Sequence, residues 1–264
     1  MQIFKEVNMK KGTNILLSAL LIFTLVFTSS SVVFAESGQS GRSQTVYNNK
    51  PISIELDKGQ DYYFKFRAVK NGYLKLESYN YYGYTYGNAT LCNSKKKAIS
   101  SPTNLQYSPT FGVKKGKTYY IKVVPAENHD VAHTFTVINK AIREKSGKKK
   151  SKAVLLKKNK QKQGTIVAGE KRTDWYRFRV TKKSKKHELA IKGATNNKIK
   201  VVIYRGNKRM RFAGERQPLV LNAIRSNSSN TTFITGDNWK KGTYYIKVYR
   251  GTSKSSGWYS LKWR

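Results

Sequence analysis

Apolar and polar residues alternate in short runs along most of the chain. In Tyr244-Tyr245-Ile246-Lys247-Val248, one face carries Tyr244, Ile246 and Val248 while Lys247 points to water. A period of two marks a half-buried β-strand. Ile52–Leu56, Tyr73–Glu77, Val154–Leu156, Glu188–Ile191 and Lys200–Tyr204 read the same way. Clusters such as Lys70-Asn71-Gly72 and Gly193–Lys198 punctuate them as turns. Beyond the N-terminal segment no helical period is sustained. Several short strands per ~100 residues predict an all-β chain of antiparallel sandwiches, jelly-roll-like, with no need for crossover helices.

The pattern occurs twice. Thr118-Tyr119-Tyr120-Ile121-Lys122-Val123 returns unchanged as Thr243-Tyr244-Tyr245-Ile246-Lys247-Val248, each copy following a Lys-Gly pair, Lys115-Gly116 and Lys241-Gly242. Upstream, Phe64-Lys65-Phe66-Arg67 matches Tyr176-Arg177-Phe178-Arg179, with Asp61 and Asp174 just before. Downstream, Thr134-Phe135-Thr136-Val137 parallels Trp258-Tyr259-Ser260-Leu261. Three matches in one order, at offsets of 112, 125 and 124, describe two copies of one unit, the second slightly longer. The expected domains are two tandem sandwiches at 45–139 and 153–264. Residues 140–152, with seven Lys or Arg and one Glu, are expected to form an extended basic tether.

The first 35 residues read as a signal peptide. Lys10 and Lys11 precede an apolar run from Ile15 to Phe27, and Val33-Phe34-Ala35 offers a small residue at the cut before Glu36. Met9 is an alternative start. The rival reading, an uncleaved anchor, needs ~20 apolar residues, more than this run supplies. A short segment, 36–44, would open the mature chain. The mature chain is expected to be secreted and extracellular, without a membrane span, and held at the cell surface only by non-covalent contacts.

Each copy carries an acidic residue before an aromatic-rich strand, then a glycine leading into Tyr-Tyr-Ile. Asp174-Trp175-Tyr176-Arg177-Phe178 and Gly242-Thr243-Tyr244-Tyr245-Ile246-Lys247-Val248 show it in copy two. Asp61-Tyr62-Tyr63-Phe64 and Gly116-Lys117-Thr118-Tyr119-Tyr120-Ile121 show it more loosely in copy one. This order resembles the bacterial pre-peptidase C-terminal domain, a jelly-roll-like sandwich appended to many secreted hydrolases. The resemblance implies a non-catalytic binding module; some relatives bind collagen or insoluble polysaccharide and use calcium. This chain departs from that pattern in having no hydrolase domain. It also has no acidic cluster of the kind calcium wants, Asp57 and Asp61 being the nearest pair.

Charge changes the picture most. The chain holds 52 Lys and Arg against 14 Asp and Glu, a net +38, and the two copies share it unequally. Copy one has 13 basic and 6 acidic residues (+7), while copy two has 28 and 5 (+23). Edge lysines that block strand aggregation account for some of this, but not for +23 on one small domain, where repulsion opposes compaction. Such a field attracts polyanions. The candidate ligand-binding cations are Lys182, Lys183, Lys185, Lys186, Arg205, Lys208, Arg209 and Arg211, with a further run at Lys157, Lys158, Lys160 and Lys162. Tyr79, Tyr81, Tyr82, Tyr84 and Tyr86 are too dense for one inward face, so some rings are expected in solvent, where they can stack on sugars or bases.

Catalytic chemistry finds little support. His129-Asp130-x-x-His133 lacks the helix that metal spacing requires and reads as a polar loop. His187, among lysines, is expected to be exposed. Asp61 and Asp174 are expected to fix turns rather than to move protons. Trp175 and Trp258 are expected in the core, and Trp239, in a turn, is a candidate for the surface. Cys92 reads as a buried small hydrophobe, the alternative being a cross-link between chains. No catalytic residue, metal or cofactor is expected. No motif for reading DNA sequence appears. The expected function is non-catalytic attachment to an extracellular polyanion or polysaccharide: a cell-wall polymer, glycosaminoglycan or matrix. The alternative is an accessory or structural subunit that binds an acidic secreted protein partner.

Overall fold

The computed structural model describes residues 33–264 except 35–40, 42, 81–82, 84, 127–131, 144, 183–186, 212–217, 224–229 and 236–238. The signal segment expected over 1–35 therefore lies almost wholly outside the described residues. The chain divides into two units, Met1–Val33 and Phe34–Arg264, and the second carries both copies of the repeat. Its described secondary structure consists of strands and two short 3-10 turns, Leu105–Tyr107 and Lys150–Lys152. No helix among the described residues is long and apolar enough to cross a membrane.

The two copies share one strand order. In the first, one sheet aligns Ser43–Thr45, Tyr62–Arg67, Thr118–Pro125, Gly87–Cys92 and Thr103–Asn104. Behind it lie Pro51–Ile54, His133–Ala141, Gly72–Tyr79 and Thr110–Val113. In the second, the front sheet runs Val154–Leu155, Thr173–Val180, Gly242–Arg250 and Ile199–Arg205, the last also pairing with Lys208–Arg209 and Leu219–Leu221. Gln161–Ile166, Gly257–Trp263, Glu188–Thr195 and Asn230–Thr235 form its back sheet. The pairing of the first two front strands is parallel in both copies. The additional residues of copy two fall between Ile199–Arg205 and Gly242–Arg250.

Register corrects one expected correspondence. Tyr63 stands opposite Lys122, and Trp175 stands opposite Lys247. Thr173 is therefore the counterpart of Asp61, and Asp174 the counterpart of Tyr62. Strand parity then gives the two aspartates opposite environments: Asp61 faces outward, whereas Asp174 is fully buried.

Each sandwich has its own apolar core. The first packs Phe64, Phe66, Leu74, Leu76, Phe111, Ile121 and Phe135. The second packs Tyr176, Phe178, Leu189, Ile191, Ile203, Tyr244, Ile246, Tyr259 and Trp263. Trp239 overturns the surface expectation. It is fully buried, edge-on to Phe178 at 5.4 Å, and its Nε1–H donates to the Ile234 carbonyl at 3.2 Å. A ring of that size in a turn closes one end of the core. Trp175 and Trp258 depart from expectation in the opposite sense. Both are half-buried on outer faces because their neighbours Tyr176 and Tyr259 take the inward direction.

The tether expected at 140–152 is folded. Ile142 is buried, and Gly147 exchanges both backbone hydrogen bonds with Trp175, at 3.0 and 2.8 Å. Ser146 Oγ donates to Asp174 Oδ1 at 2.7 Å. That carboxylate also accepts from Arg172 Nε at 2.8 Å and from the Tyr259 hydroxyl at 2.7 Å. A buried carboxylate bonded to the segment, together with one β-bridge, offsets the mutual repulsion of its lysines. Asp174 thus anchors rather than turns the chain.

The sandwiches are also joined directly through their back sheets. Tyr73 stacks on Trp258 with centroids 5.7 Å apart. The Gly112 amide donates to Ser256 Oγ at 2.7 Å, and its carbonyl accepts from Ala168 at 3.0 Å. A Cβ at Gly112 would collide with the Ile166 carbonyl. Asn196 and Asn197 bond Ser101, Lys254 bonds the Ala98 carbonyl, and Glu170 pairs with Lys114 and Lys117. Backbone-to-backbone approach of this kind leaves little freedom between the copies.

Candidate anion-binding face

The outer face of the second front sheet is built from residues that strand alternation turns away from the core. Thr173–Val180 contributes Trp175, Arg177 and Arg179, and Gly242–Arg250 contributes Tyr245, Lys247 and Tyr249. Ile199–Arg205 contributes Lys200 and Tyr204. Register sets Arg209, Tyr204, Tyr245 and Arg177 in one row across four adjacent strands. Val202, Lys247 and Trp175 form the next row.

Cations and rings interlock on this face. Lys247 Nζ lies 5.0 Å from the Tyr249 centroid and 5.7 Å from that of Trp175. The Trp175 and Tyr204 rings stand 5.7 Å apart. Lys150, from the folded linker, reaches over Tyr245 at 4.9 Å and Tyr204 at 5.3 Å. Its ammonium also donates to Gly206 O at 2.6 Å and Asn207 Oδ1 at 2.7 Å. Ring faces attract ammonium groups electrostatically, so these lysines are held in place over the rings.

No carboxylate among the described residues neutralises this face. Glu170 is turned to Lys114 and Lys117, Glu188 pairs with Arg264 at 2.8 Å, and Asp174 is buried. In the first sandwich the counterpart of Lys247, Lys122, is paired with Asp61 at 2.7 Å. That hydrogen bond holds the Lys122 ammonium above its ordinary range.

The cations singled out in the sequence fall partly on this face. Arg205, Lys208, Arg209 and Arg211 are exposed, with Arg209 opposite Tyr204 and Lys208 opposite Arg205. Arg205 Nη2 donates to the Lys241 carbonyl at 2.8 Å. Lys182 is exposed just beyond Val180, which stands opposite Gly242, so its turn lies at the same end of the sheet as Arg205 and Lys241. Lys183, Lys185 and Lys186 lie outside the described residues. So do Tyr81, Tyr82 and Tyr84. Tyr79 and Tyr86 are exposed, at 54% and 44%, but they belong to the first sandwich.

Trp175, Arg177, Tyr204, Tyr245, Lys247 and Lys150 were not among the expected binding residues. The signal for them lies in the repeat: Tyr120 and Lys122, like Tyr245 and Lys247, occupy outward positions that no core requires.

The remaining candidates settle into structural places. His133 opens a strand and is fully buried, its Nδ1 2.7 Å from Thr85 Oγ1, so it is not the loop residue expected. His129 and Asp130 lie outside the described residues. His187 is buried rather than exposed, its ring on Trp263 at 5.0 Å and its Nε2–H donating to the Lys182 carbonyl at 3.0 Å. Cys92 is buried on the front sheet under a turn that bridges back through Ala98, and burial pushes its thiol pKa up. No group of three metal-ligating side chains occurs among the described residues.

No family model matches the chain, and no curated protein matches it. Among solved structures it is similar to the pre-peptidase C-terminal domain of a Bacillus anthracis collagenase. That match has 18% identity and a TM-score of 0.29, covering 42% of this chain and 94% of the other. It is also similar to the CUB1-EGF-CUB2 domains of rat MASP-1, with 7% identity, coverage of 84% and 100%, and a TM-score of 0.23. A triple jelly-roll turret protein of an archaeal virus matches at 16% identity, with coverage of 83% and 59% and a TM-score of 0.25.

Proposed function

We propose that this chain is a secreted, non-catalytic binding protein that attaches to extracellular polyanions or acidic polysaccharide through the outer face of its second sandwich. In this reading the two copies are modules of the pre-peptidase C-terminal type, recruited for adhesion. One observation carries it: the row Arg209, Tyr204, Tyr245, Arg177, backed by Lys247 and Lys150, with no described acid on the face. Guanidinium groups grip sulfate, carboxylate or phosphate through paired N–H bonds. Binding a polyanion releases its counterions, which adds affinity that salt removes. The test is chromatography of the mature protein on heparin and on an anionic wall polymer with a salt gradient. Elution well above physiological salt is expected. Elution alongside a neutral sandwich protein of similar size would refute the proposal.

A further inference from the structure

The outer face of the first sandwich repeats the arrangement described for the second. Tyr63 stands opposite Lys122 and Lys65 opposite Tyr120, as Trp175 stands opposite Lys247 and Arg177 opposite Tyr245. In both copies two cations and two rings form a checkerboard. A loop lysine completes it each time, from unrelated parts of the chain. Lys96 Nζ lies 4.5 Å from the Tyr63 centroid and 5.6 Å from that of Tyr120, while Lys150 lies over Tyr245, the counterpart of Tyr120, and over its strand neighbour Tyr204. None of these side chains serves the core, whose inward positions belong to Phe64, Phe66, Tyr119 and Ile121. The copies differ in two respects: Cys92 stands beside Tyr120 where Tyr204 stands beside Tyr245, and Asp61 pairs with Lys122, so this face is the weaker cation field.

The two checkerboards lie on the front sheets of different sandwiches. The sandwiches meet through back-sheet residues, where Tyr73 stacks on Trp258 and Gly112 bonds Ser256 and Ala168, and through the loop after Gly87–Cys92, where Ala98 and Ser101 bond Lys254, Asn196 and Asn197. The close backbone approach at Gly112 limits how far one face can move relative to the other.

We propose that the face around Tyr63, Lys65, Lys96 and Tyr120 is a second, weaker site for acidic polysaccharide, so that one molecule bridges two polymer strands. This rests on the reading of the second sandwich given above. The occupant is an acidic polysaccharide because the face offers spaced cations among rings that match sugar faces as well as anionic groups.

The experiment uses the full mature chain and heparin as probe. Protein bound to immobilised heparin is offered fluorescent heparin in solution, and capture of the second polymer is read. Wild type is expected to capture it. The variant Lys65→Gln/Lys96→Gln/Lys122→Gln is expected to stay on the immobilised heparin yet capture about tenfold less. A variant losing the same charge from turns, Lys50→Gln/Lys70→Gln/Lys115→Gln, is expected to capture like wild type. Undiminished capture by the first variant, or equal loss by both, overturns the bridge while leaving the first site standing. A wild-type protein that fails to bind heparin at all overturns both.

Discussion

Ser256 Oγ accepts the Gly112 amide proton at 2.7 Å, joining strands and loops that belong to different sandwiches. The Ser256 hydroxyl in turn donates to the Ile166 carbonyl at 3.2 Å, closing a small network at a buried junction. Only a residue without a side chain fits at 112, since a Cβ there would meet the Ile166 backbone. Gly112→Val should therefore prise the sandwiches apart at a cost of about 1–3 kcal/mol. Calorimetry should show one transition for the wild type and a broadened or split one for the variant. An unchanged, single transition in the variant would mean that the contact is not rigid.

Asp174 predicts how the basic linker is held. Its carboxylate is fully buried and accepts from Ser146, Arg172 and Tyr259 at 2.7 to 2.8 Å. Asp174→Ala removes the buried anion and leaves three donors short of their acceptor, a loss of about 3–5 kcal/mol. The linker should then be freed, with trypsin cutting between Arg143 and Lys152 at doses the wild type resists. Equal resistance in wild type and variant would show that the backbone pairing of Gly147 with Trp175 suffices without the carboxylate.

The architecture was legible because repetition and a period of two are local signals. Tyr244, Ile246 and Val248 point inward as alternation demands, and the duplicated Tyr-Tyr-Ile-Lys-Val strands occupy matching places in their sheets. The site was less legible because it is a property of pairing. Arg177, Tyr204, Arg209 and Tyr245 are scattered along three separate stretches of sequence, and only register places them side by side. The basic linker misled for a related reason. Its lysines advertise repulsion, whereas the groups that hold it, Asp174 and the Trp175 backbone, lie more than twenty residues further on. Trp239 misled because a turn residue can fold back into a core whose shape the sequence does not display.

Burial of the repeated tyrosines sets an alkaline limit. Tyr119 and Tyr244 occupy equivalent places, and burial pushes both phenols above their ordinary range. Cys92 shifts in the same direction for the same reason. The unfolded chain then releases these protons first, near pH 8.5 for the thiol and pH 10 for the phenols, roughly their unperturbed values. Above those values the unfolded state binds fewer protons than the folded one, so stability falls as pH rises. Their contribution is complete below about pH 8 and disappears as pH climbs through the raised folded values. Lys122, raised by its hydrogen bond to Asp61, acts in the same sense. Urea midpoints should be level from pH 6 to 8 and decline above about pH 9. Midpoints that stay level to pH 11 would contradict the buried placement of these groups.

Placement and quantity of charge make different predictions for the second sandwich. If +23 acts only as a diffuse field, removing any three cations should weaken heparin binding equally. If the row across the front sheet is the site, Arg177→Gln/Arg209→Gln/Lys247→Gln should weaken it far more than Lys157→Gln/Lys158→Gln/Lys160→Gln. Each lost contact should lower the slope of log affinity against log salt by on the order of one. All six residues are exposed or half-buried, so neither variant opens the core. Lys150→Gln supplies a finer measure. It keeps every residue of the row but removes the ammonium that ties Tyr204 and Tyr245 to the Gly206-Asn207 turn. A site that depends on a fixed array should lose more affinity in this variant than in Lys158→Gln, although both lose a single charge. Equal salt slopes for the two triple variants would reduce the face to bulk electrostatics.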